Sequence, residues 1–148
     1  MLRATLQTPT GPVTVSAAGD AITAVGWGGG FNDDSALLRE AARQLTAYFD
    51  GSREAFDLPL RVGGSDFQRT ICAAIMAIPY GETITYGDIA KTVNAPAQAV
   101  GQACGGNPIP IIIPCHRVLG ATGLGGFSGG TGAETKVALL RLEGALLV

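Results

Sequence analysis

The sequence predicts an α+β protein, in which a small N-terminal β-sheet-plus-helix domain precedes a mostly helical C-terminal domain with a winged-helix-like helix-turn-helix. Residues 2–27 alternate apolar and polar side chains at the period of a strand, and apolar residues in 33–50 recur at helical spacing. Two short helical stretches follow later, joined by a break that contains proline. Because a linker separates the two parts, we expect one domain at 1–61 and another at 62–148.

Three strands and one helix are expected in the N-terminal domain. The strands are bounded by Gly and Pro turns and fall at residues 3–8, 13–16 and 21–27. A helix then runs from a cap among residues 33–35 to about Asp50, and Gly51 occupies the position of a C-terminal cap. The glycines at 28–30 lack the rest of a phosphate-binding motif, so we interpret them as a turn.

The first helix of the second domain should begin at Ser65, because Ser65-Asp-Phe-Gln68 has the form of a capping box. It should stop at Ile78-Pro79, since proline disfavours helical geometry in the residue before it. Helical spacing predicts an apolar side made of Phe67, Ile71, Cys72, Ile75 and Met76. Cys72 is therefore expected to pack in the core.

Two short helices separated by a tight break predict the helix-turn-helix. Thr85-Tyr-Gly-Asp88 begins the first helix and Asn94-Ala-Pro96 ends it. The second helix spans 97–104, and Pro96 suits its first turn. An ordinary helical corner would give the same pattern.

The stretch 107–118 holds the candidate chemistry. Its three prolines exclude a helix, so residues 111–113 are expected to be extended, buried chain leading to Cys115 and His116. A cysteine is nucleophilic as the thiolate, and a neighbouring imidazole is the usual group that removes its proton. His116 is the only histidine of the chain. The alternative is that Cys115 is a small apolar residue of the core.

The C-terminal part combines a glycine-rich loop with a last helix. Residues 120–132 contain seven glycines, which would let the backbone approach a flat ligand, although a plain surface loop is the alternative. The helix is predicted from about Ala133 to Glu143. Glu143 lies in its final turn, where a carboxylate opposes the helix dipole, so it should have a tertiary partner. His116 is the candidate partner, and a solvated glutamate is the alternative.

Composition and charge exclude several classes of protein. The chain has 148 residues and a net charge of −2, and five Lys/Arg balance five Asp/Glu from residue 62 onward, which does not favour a basic nucleic-acid binder. Three irregularly spaced cysteines and one histidine predict neither a disulfide framework nor a metal site. No apolar run reaches the roughly 18 residues of a membrane span. We therefore expect a cytoplasmic protein that contacts no membrane. We also expect a monomer, although the net charge favours a monomer no more than a dimer.

Seven segments occur in unbroken order over the second half: Ile78-Pro-Tyr-Gly-Glu-Thr83, Tyr86-Gly-Asp-Ile-Ala90, Ala99-Val-Gly101, Gly106-Asn-Pro108, Ile113-Pro-Cys-His-Arg-Val118, Phe127-Ser-Gly-Gly130 and 140–144. Pro-Cys-His-Arg preceded by Gly-Asn-Pro is the most specific of them. Together they resemble the methylated-DNA–protein-cysteine methyltransferases, the O6-alkylguanine-DNA alkyltransferase family. The first 60 residues resemble that family's N-terminal domain in layout only.

The resemblance implies a self-inactivating DNA repair methyltransferase that flips O6-alkylguanine, and O4-alkylthymine as well, out of double-stranded DNA and moves the alkyl group to Cys115. His116 would remove the thiol proton through a water, and Glu143 would orient the imidazole. Tyr86 would donate a hydrogen bond to the leaving guanine, and Asn107 would hold the turn before the acceptor. No cofactor is implied, because the thiol itself is consumed.

The resemblance also implies two sets of binding residues. The substrate would contact Val118, Ser128, Phe127, Pro110 and Cys104. The DNA would contact Tyr86, Ala97, Gln98, Ala99, Gly101 and Gln102. The small side chains of this second set would let the recognition helix lie close to the DNA backbone in the minor groove.

Three features depart from the family pattern. Gln98 stands where the family has an arginine that fills the gap left by a flipped base. The recognition helix, 97–106, carries no Lys or Arg, so DNA binding should be weaker and less salt-dependent than in typical relatives. Phe127 stands where the family often has tyrosine, which keeps the stacking face and loses the hydroxyl.

Other functions fit parts of the sequence. Gln98 and the neutral second half would suit the same thiol transfer from a non-duplex alkyl donor, such as a free alkylated base. A non-enzymatic binder of alkylated DNA is disfavoured, because relatives with that role lack the acceptor that Cys115 provides. A Cys-His hydrolase would need an oxyanion hole, which the resemblance does not supply.

Overall fold

The computed structural model describes residues 1–125, 129–130 and 132–145 of the chain. It has the predicted α+β class, and its strands are β1 (Leu2–Thr8), β2 (Gly11–Ala18), β3 (Ala21–Trp27), β4 (Ile84–Thr85) and β5 (Val118–Leu119). The helices are α1 (Ala36–Phe49), α2 (Asp66–Met76), α3 (Tyr86–Val93), α4 (Ala97–Gly105) and α5 (Ala133–Leu142). Within the described residues, no helix combines the length and the apolar character needed to cross a membrane.

The N-terminal sheet has the strand order β1-β2-β3, and both neighbouring pairs are antiparallel. Val13 and Val15 of β2 are buried, and α1 packs against β1 and β2. The three predicted strands are confirmed. β2 is longer than its alternation predicted, because pairing with two neighbours extends it over Gly11 and Ala18.

Helix α1 begins at a predicted cap, where the Ser35 side chain accepts a hydrogen bond from the Leu38 N–H. Its inner side carries Leu38, Ala41, Gln44, Leu45 and Tyr48. Tyr48 is fully buried and its ring lies 5.4 Å from that of Phe56 and 6.3 Å from that of Tyr80. The last turn of α1 therefore reaches the second half of the chain.

One hydrophobic core runs through both halves. Backbone hydrogen bonds join them as well, since the Val25 N–H of β3 donates to the Pro108 carbonyl at 2.9 Å. Within the N-terminal part, the Ile22 N–H donates to the Pro59 carbonyl at 2.8 Å, which ties the linker to β3. The core includes residues of β2, α1, α2, α4 and the segment before Cys115. The division into domains at residue 62 stays a prediction.

Helix α2 departs from two expectations. The Ser65 side chain accepts from the Gln68 N–H at 3.1 Å, but the Gln68 side chain donates to the Ala103 carbonyl at 2.8 Å and so ties α2 to α4. Phe67 and Met76, predicted on the apolar side, are 37% and 43% exposed. They lie at the edges of the stripe, and only Ile71, Cys72 and Ile75 face the core.

The helix-turn-helix consists of α3, the turn 94–96 and α4. Thr85 and Asp88 form a complete capping box at the start of α3. Asn94 adopts a left-handed conformation with φ of 56°, which asparagine tolerates better than most residues and which turns the chain. Pro96 is the cap residue of α4, and Val100, Ala103 and Cys104 are buried.

Residues 111–113 are buried as predicted, but the prediction of an extended chain is wrong. The Ile113 N–H donates to the Ile109 carbonyl and the Ile112 N–H to the Pro110 carbonyl, both at 2.9 Å. Ile111 has a φ of 72°, which β-branched residues rarely adopt. Proline excludes a helix but suits a tight turn equally well, so the three prolines were compatible with both geometries.

Candidate active site

A single 3-10 turn, Cys115–Arg117, presents the candidate nucleophile. The Cys115 N–H donates to the Ile113 carbonyl at 2.8 Å, and the Arg117 N–H donates to the Pro114 carbonyl at 2.9 Å. Cys115 is 8% exposed, whereas His116 is fully buried. Cys115 is therefore the more accessible of the two residues.

Asn107 holds the turn that precedes the acceptor. Its side-chain nitrogen donates to the Ile113 carbonyl at 2.8 Å, and its oxygen accepts from the Ile109 N–H at 3.0 Å. Burial raises the pKa of the Cys115 thiol, and a hydrogen bond from Asn107 acts against that rise. Asn107 thus fixes the backbone before Cys115 and favours the thiolate.

Glu143, the cap residue at the end of α5, accepts hydrogen bonds from three side chains and, at 3.4 Å, from the Gly81 N–H. Its Oε2 accepts from the Tyr48 hydroxyl at 2.6 Å and from His116 Nε2 at 2.7 Å, and its Oε1 accepts from Arg117 Nε at 2.7 Å. Burial alone would raise the pKa of Glu143. The hydrogen bonds from His116 and Arg117 outweigh burial and lower that pKa from 4.5 to about 2. Glu143 is a permanent anion at neutral pH.

The contact with Glu143 fixes the tautomer of His116. An ionised carboxylate can only accept, so Nε2 carries the proton and Nδ1 keeps a lone pair. Burial lowers the pKa of His116, which keeps the ring neutral, although Glu143 acts in the opposite direction. Across the described part of the chain, Nδ1 finds no hydrogen-bond partner and is buried. The imidazole is therefore a neutral base with its accepting nitrogen unused.

Two charged residues at the site were missed from the sequence. Arg117 is 6% exposed, donates through Nη1 to the Ile78 carbonyl at 2.7 Å and pairs with Glu143. Lys136 is fully buried and donates to the Val118 carbonyl at 2.7 Å. Lys136 precedes Leu139 and Leu140 by three and four positions, so its place on the apolar face of α5 could have been read from the helical period.

Lys136 brings positive charge to the acceptor. Its ammonium lowers the pKa of both Cys115 and Cys104, while burial raises both. Burial dominates at Cys104, whose pKa rises to about 12. The Lys136 Nζ also lies 5.9 Å from the centre of the Tyr86 ring. The buried cation therefore favours the thiolate of Cys115.

The predicted substrate residues fall into two groups. Val118, Pro110 and Cys104 are buried close to the acceptor segment, and Val118 belongs to β5, which pairs in parallel with β4. That pairing brings Val118 beside the start of α3, where Tyr86 is half-buried. The predicted residues Phe127 and Ser128 lie outside the described residues. Among the described residues, no group of three or more His, Cys, Asp or Glu side chains could hold a metal ion.

Apart from Tyr86 at the start of α3, the predicted DNA-contacting residues belong to α4. Ala97, Gln98 and Gln102 are exposed, and Ala99 and Gly101 are half-buried. A methyl group added at Gly101 would meet no atom within 4 Å, so this part of α4 faces open space. The surface is polar, small and uncharged, as the sequence predicted.

Two family models match the chain. The DNA binding domain of 6-O-methylguanine DNA methyltransferase matches residues 66–145, and the ribonuclease-like domain of the same family matches residues 1–62. The chain belongs to the methylated-DNA–protein-cysteine methyltransferase family. The resemblance drawn from the motifs of the second half is thereby confirmed, and it extends to the N-terminal residues.

Relatives of this methyltransferase family are similar over most of the chain. The methylated-DNA–protein-cysteine methyltransferase of Mycobacterium bovis is 43% identical over 94% of this chain and 90% of its own length. That of Methanosarcina acetivorans is 48% identical over 76% of this chain and 73% of its own length. The structure of Mycobacterium tuberculosis OGT in complex with DNA has a TM-score of 0.89 and 42% identity, covering 98% of this chain and 94% of that one.

The stability of this methyltransferase should fall in two steps as the pH is lowered. Unfolded His116 titrates at about its ordinary pKa of 6.5 and folded His116 below it, so the unfolded chain binds more protons below pH 6.5. Glu143 produces the second step, because the unfolded chain again binds more protons than the folded protein between the ordinary pKa of 4.5 and the folded pKa of about 2. Both groups therefore contribute stability that is complete above their ordinary pKa and lost below it.

Urea unfolding at a series of pH values measures both steps. A His116→Gln variant keeps a donor toward Glu143 and cannot titrate, so it should lose the step below pH 6.5 and keep the step below pH 4.5. An unchanged first step in this variant would contradict the assignment to His116.

Proposed function

We propose that this chain repairs DNA by moving the alkyl group from O6 of an alkylated guanine, or O4 of an alkylated thymine, to the sulfur of Cys115, once per molecule. The contact that carries the proposal is the hydrogen bond of 2.7 Å between His116 Nε2 and Glu143 Oε2, which leaves the other ring nitrogen free to act as a base beside Cys115. The family of the chain supports the same reaction.

The first step is ionisation of the thiol. Nδ1 of His116 takes the Cys115 proton through one water, and the imidazolium is stabilised by Glu143 through Nε2. The buried ammonium of Lys136 lowers the energy of the thiolate from another side. Arg117 keeps Glu143 ionised throughout, since two of its nitrogens bond to the carboxylate. The thiol therefore becomes nucleophilic only within this arrangement of charges.

The second step is the transfer itself. The thiolate sulfur of Cys115 attacks the alkyl carbon, the bond between that carbon and O6 breaks, and its electron pair goes to the purine. The hydroxyl of Tyr86 donates to the purine and stabilises this developing charge. The product is a thioether, which does not release the alkyl group again. Each protein molecule is therefore consumed by one transfer, and no cofactor takes part.

DNA would reach Cys115 along α4. The Mycobacterium tuberculosis OGT, which shares the fold, has been solved in complex with DNA, and that supports DNA binding by this chain. We propose that α4 lies against the backbone through Ala97, Ala99 and Gly101, and that Gln98 enters the gap left by the flipped base. Placement in the cytoplasm, a monomeric state and independence from metals stay predictions.

One experiment separates this function from its main alternative. The intact mass of the protein is recorded after exposure to duplex DNA with O6-methylguanine and, separately, to free O6-benzylguanine. Each donor used alone is expected to add a single alkyl group. When both are present, the alkylated duplex is expected to reduce the uptake of benzyl groups from the free base. The uncharged face of α4 favours the alternative, a non-duplex donor, and in that case unalkylated and alkylated duplex alike would fail to compete. Tight lesion binding without any added mass would instead indicate a non-enzymatic binder.

A charge introduced at position 98 should strengthen duplex binding. Gln98→Arg places a guanidinium on the exposed side of α4, where it can neutralise one phosphate or pair with the orphaned base. We expect duplex affinity to rise about tenfold at low salt and its logarithmic salt slope to steepen by roughly one. Fluorescence anisotropy with a labelled duplex measures both. Gln7→Arg, exposed on β1 and far from α4 in sequence, is the charge-matched control, and equal gains in both variants would contradict the placement.

A further inference from the structure

Helix α1 of the N-terminal half donates a hydrogen bond into the active site. The Tyr48 hydroxyl lies 2.6 Å from Oε2 of Glu143, across 95 positions of sequence. The same oxygen accepts from His116 Nε2 at 2.7 Å. Both side chains and the carboxylate are buried, so water does not compete for these bonds. Tyr48 itself exchanges no proton and no alkyl group in the proposed transfer.

We propose that Tyr48 is a positioning residue of the alkyl transfer, which acts through Glu143 to set the orientation and the basicity of His116. The inference rests on the proposed function, because it concerns the same acceptor and the same base. It assigns the N-terminal half a part in the chemistry, in addition to its part in the fold.

The phenol and the imidazole share one carboxylate oxygen. A hydrogen bond from Tyr48 draws electron density from Oε2, so Oε2 becomes a weaker acceptor toward His116. A weaker acceptor stabilises the imidazolium less, which keeps the resting ring neutral and able to accept the thiol proton. Tyr48 also fixes the direction of Oε2 and therefore the plane of the ring.

The Tyr48 donor is available at every working pH. Burial and the negative charge of Glu143 raise the pKa of Tyr48 far above its usual range, so the phenol stays protonated. The other charged and titratable groups facing Glu143 are Arg117, on both carboxylate oxygens, and the Tyr80 phenol nearby. Lys136, on α5, also acts on His116 through its positive charge. Burial raises the pKa of Tyr80, so this phenol keeps its proton. Burial lowers the pKa of His116, which makes His116 the base that titrates in the acid limb.

The ring of Tyr48 is held firmly enough to position a neighbour. Phe49 meets it edge-on with ring centres 5.2 Å apart, and the rings of Phe56 and Tyr80 lie at 5.4 and 6.3 Å. These contacts come from α1, from the segment after it and from the second half. The hydroxyl therefore cannot leave Glu143 without disturbing the packing between the halves.

The test is the pH dependence of the single-turnover alkylation rate with O6-benzylguanine. Tyr48→Phe removes the donor and keeps the ring. We expect Oε2 to become a stronger acceptor, the pKa of His116 to rise and the acid limb of the profile to move to higher pH. The variant should react about tenfold more slowly than the natural chain near pH 6 and approach it above about pH 8.

Tyr80→Phe is the matched control, because its hydroxyl donates to the Leu142 carbonyl at 3.3 Å and not to Glu143. It should keep the profile of the natural chain. An identical profile for Tyr48→Phe, or a fall by the same factor at every pH, would overturn the inference, since the latter marks only a loss of folded protein. A natural chain that takes up no benzyl group at any pH would overturn the proposed function itself.

A second variant decides the question if Tyr48→Phe does not fold. Site-selective 3-fluorotyrosine at position 48 changes one hydrogen atom and makes the phenol a stronger donor. The acid limb should then move to lower pH, opposite to the effect of phenylalanine. An acid limb that stays in place in a folded fluorotyrosine protein would reject the inference.

Discussion

A Cys115→Ser protein is expected to gain no benzyl group from O6-benzylguanine, whereas the natural chain gains one per molecule. A serine hydroxyl is far less acidic than a thiol, so neither His116 nor Lys136 can generate enough anion for attack on carbon. Intact mass spectrometry measures the gain, and digestion assigns it to the peptide that contains Cys115. The substitution changes a single atom at a residue that is 8% exposed, so the fold should survive.

Cys72→Ala is the matched control for that result. Cys72 is 2% exposed on α2, accepts from Gln68 at 3.5 Å, and takes no part in the proposed transfer. Its variant should still gain one benzyl group. Cys104 is the other candidate acceptor, because it lies near Cys115. Burial raises its pKa to about 12, which disfavours its thiolate. A benzyl group on Cys104 in the Cys115→Ser protein would show that the pocket, and not the pKa of the thiol, selects the acceptor.

Glu143→Gln is expected to destabilise the protein by about 3–5 kcal/mol, the usual cost of leaving a buried charge without its partner. Arg117 would then face a neutral amide with two donor hydrogens, and the donors of Arg117, Tyr48 and His116 would compete for a single oxygen. Urea unfolding at neutral pH measures the change. Glu134→Gln, an exposed residue in the first turn of the same helix, should cost only a few tenths of a kcal/mol through the helix dipole.

Glu143→Gln should also slow alkylation by about a hundredfold, because the imidazolium at His116 loses the anion that stabilises it. The rate is measured at a temperature where the variant is folded, as judged by its unfolding curve. A loss of stability below about 1 kcal/mol, or an unchanged rate, would mean that Glu143 is neither the counter-charge of Arg117 nor the partner of the base.

The three N-terminal strands and the five helices could be predicted because each depends on neighbours in sequence, whereas β4 and β5 were missed because they form only by pairing with each other across a long stretch of chain. Ser35 and Ser65 cap helices as predicted, and Thr85 caps the helix that it was predicted to begin, since a cap forms within one turn of chain. Local errors concern the apolar side of α2, where Phe67 and Met76 are exposed, and residues 111–113, where prolines allowed both an extended chain and a turn. The positive φ of Ile111 is held by packing and by Asn107, and these are contacts that no local pattern encodes.

The sequence by itself determined the family, the adjacency of a thiol and an imidazole, and the need of Glu143 for a partner, because motif order, chain neighbours and helix polarity are properties of the chain. Only the tertiary structure decided which groups surround that carboxylate. Tyr48 lies 95 positions from Glu143, and Lys136 is buried although lysines are usually exposed. Such contacts arise when helices that are distant in sequence pack together and exclude water. Their buried charged and polar groups must then satisfy one another, although they are not neighbours in the chain.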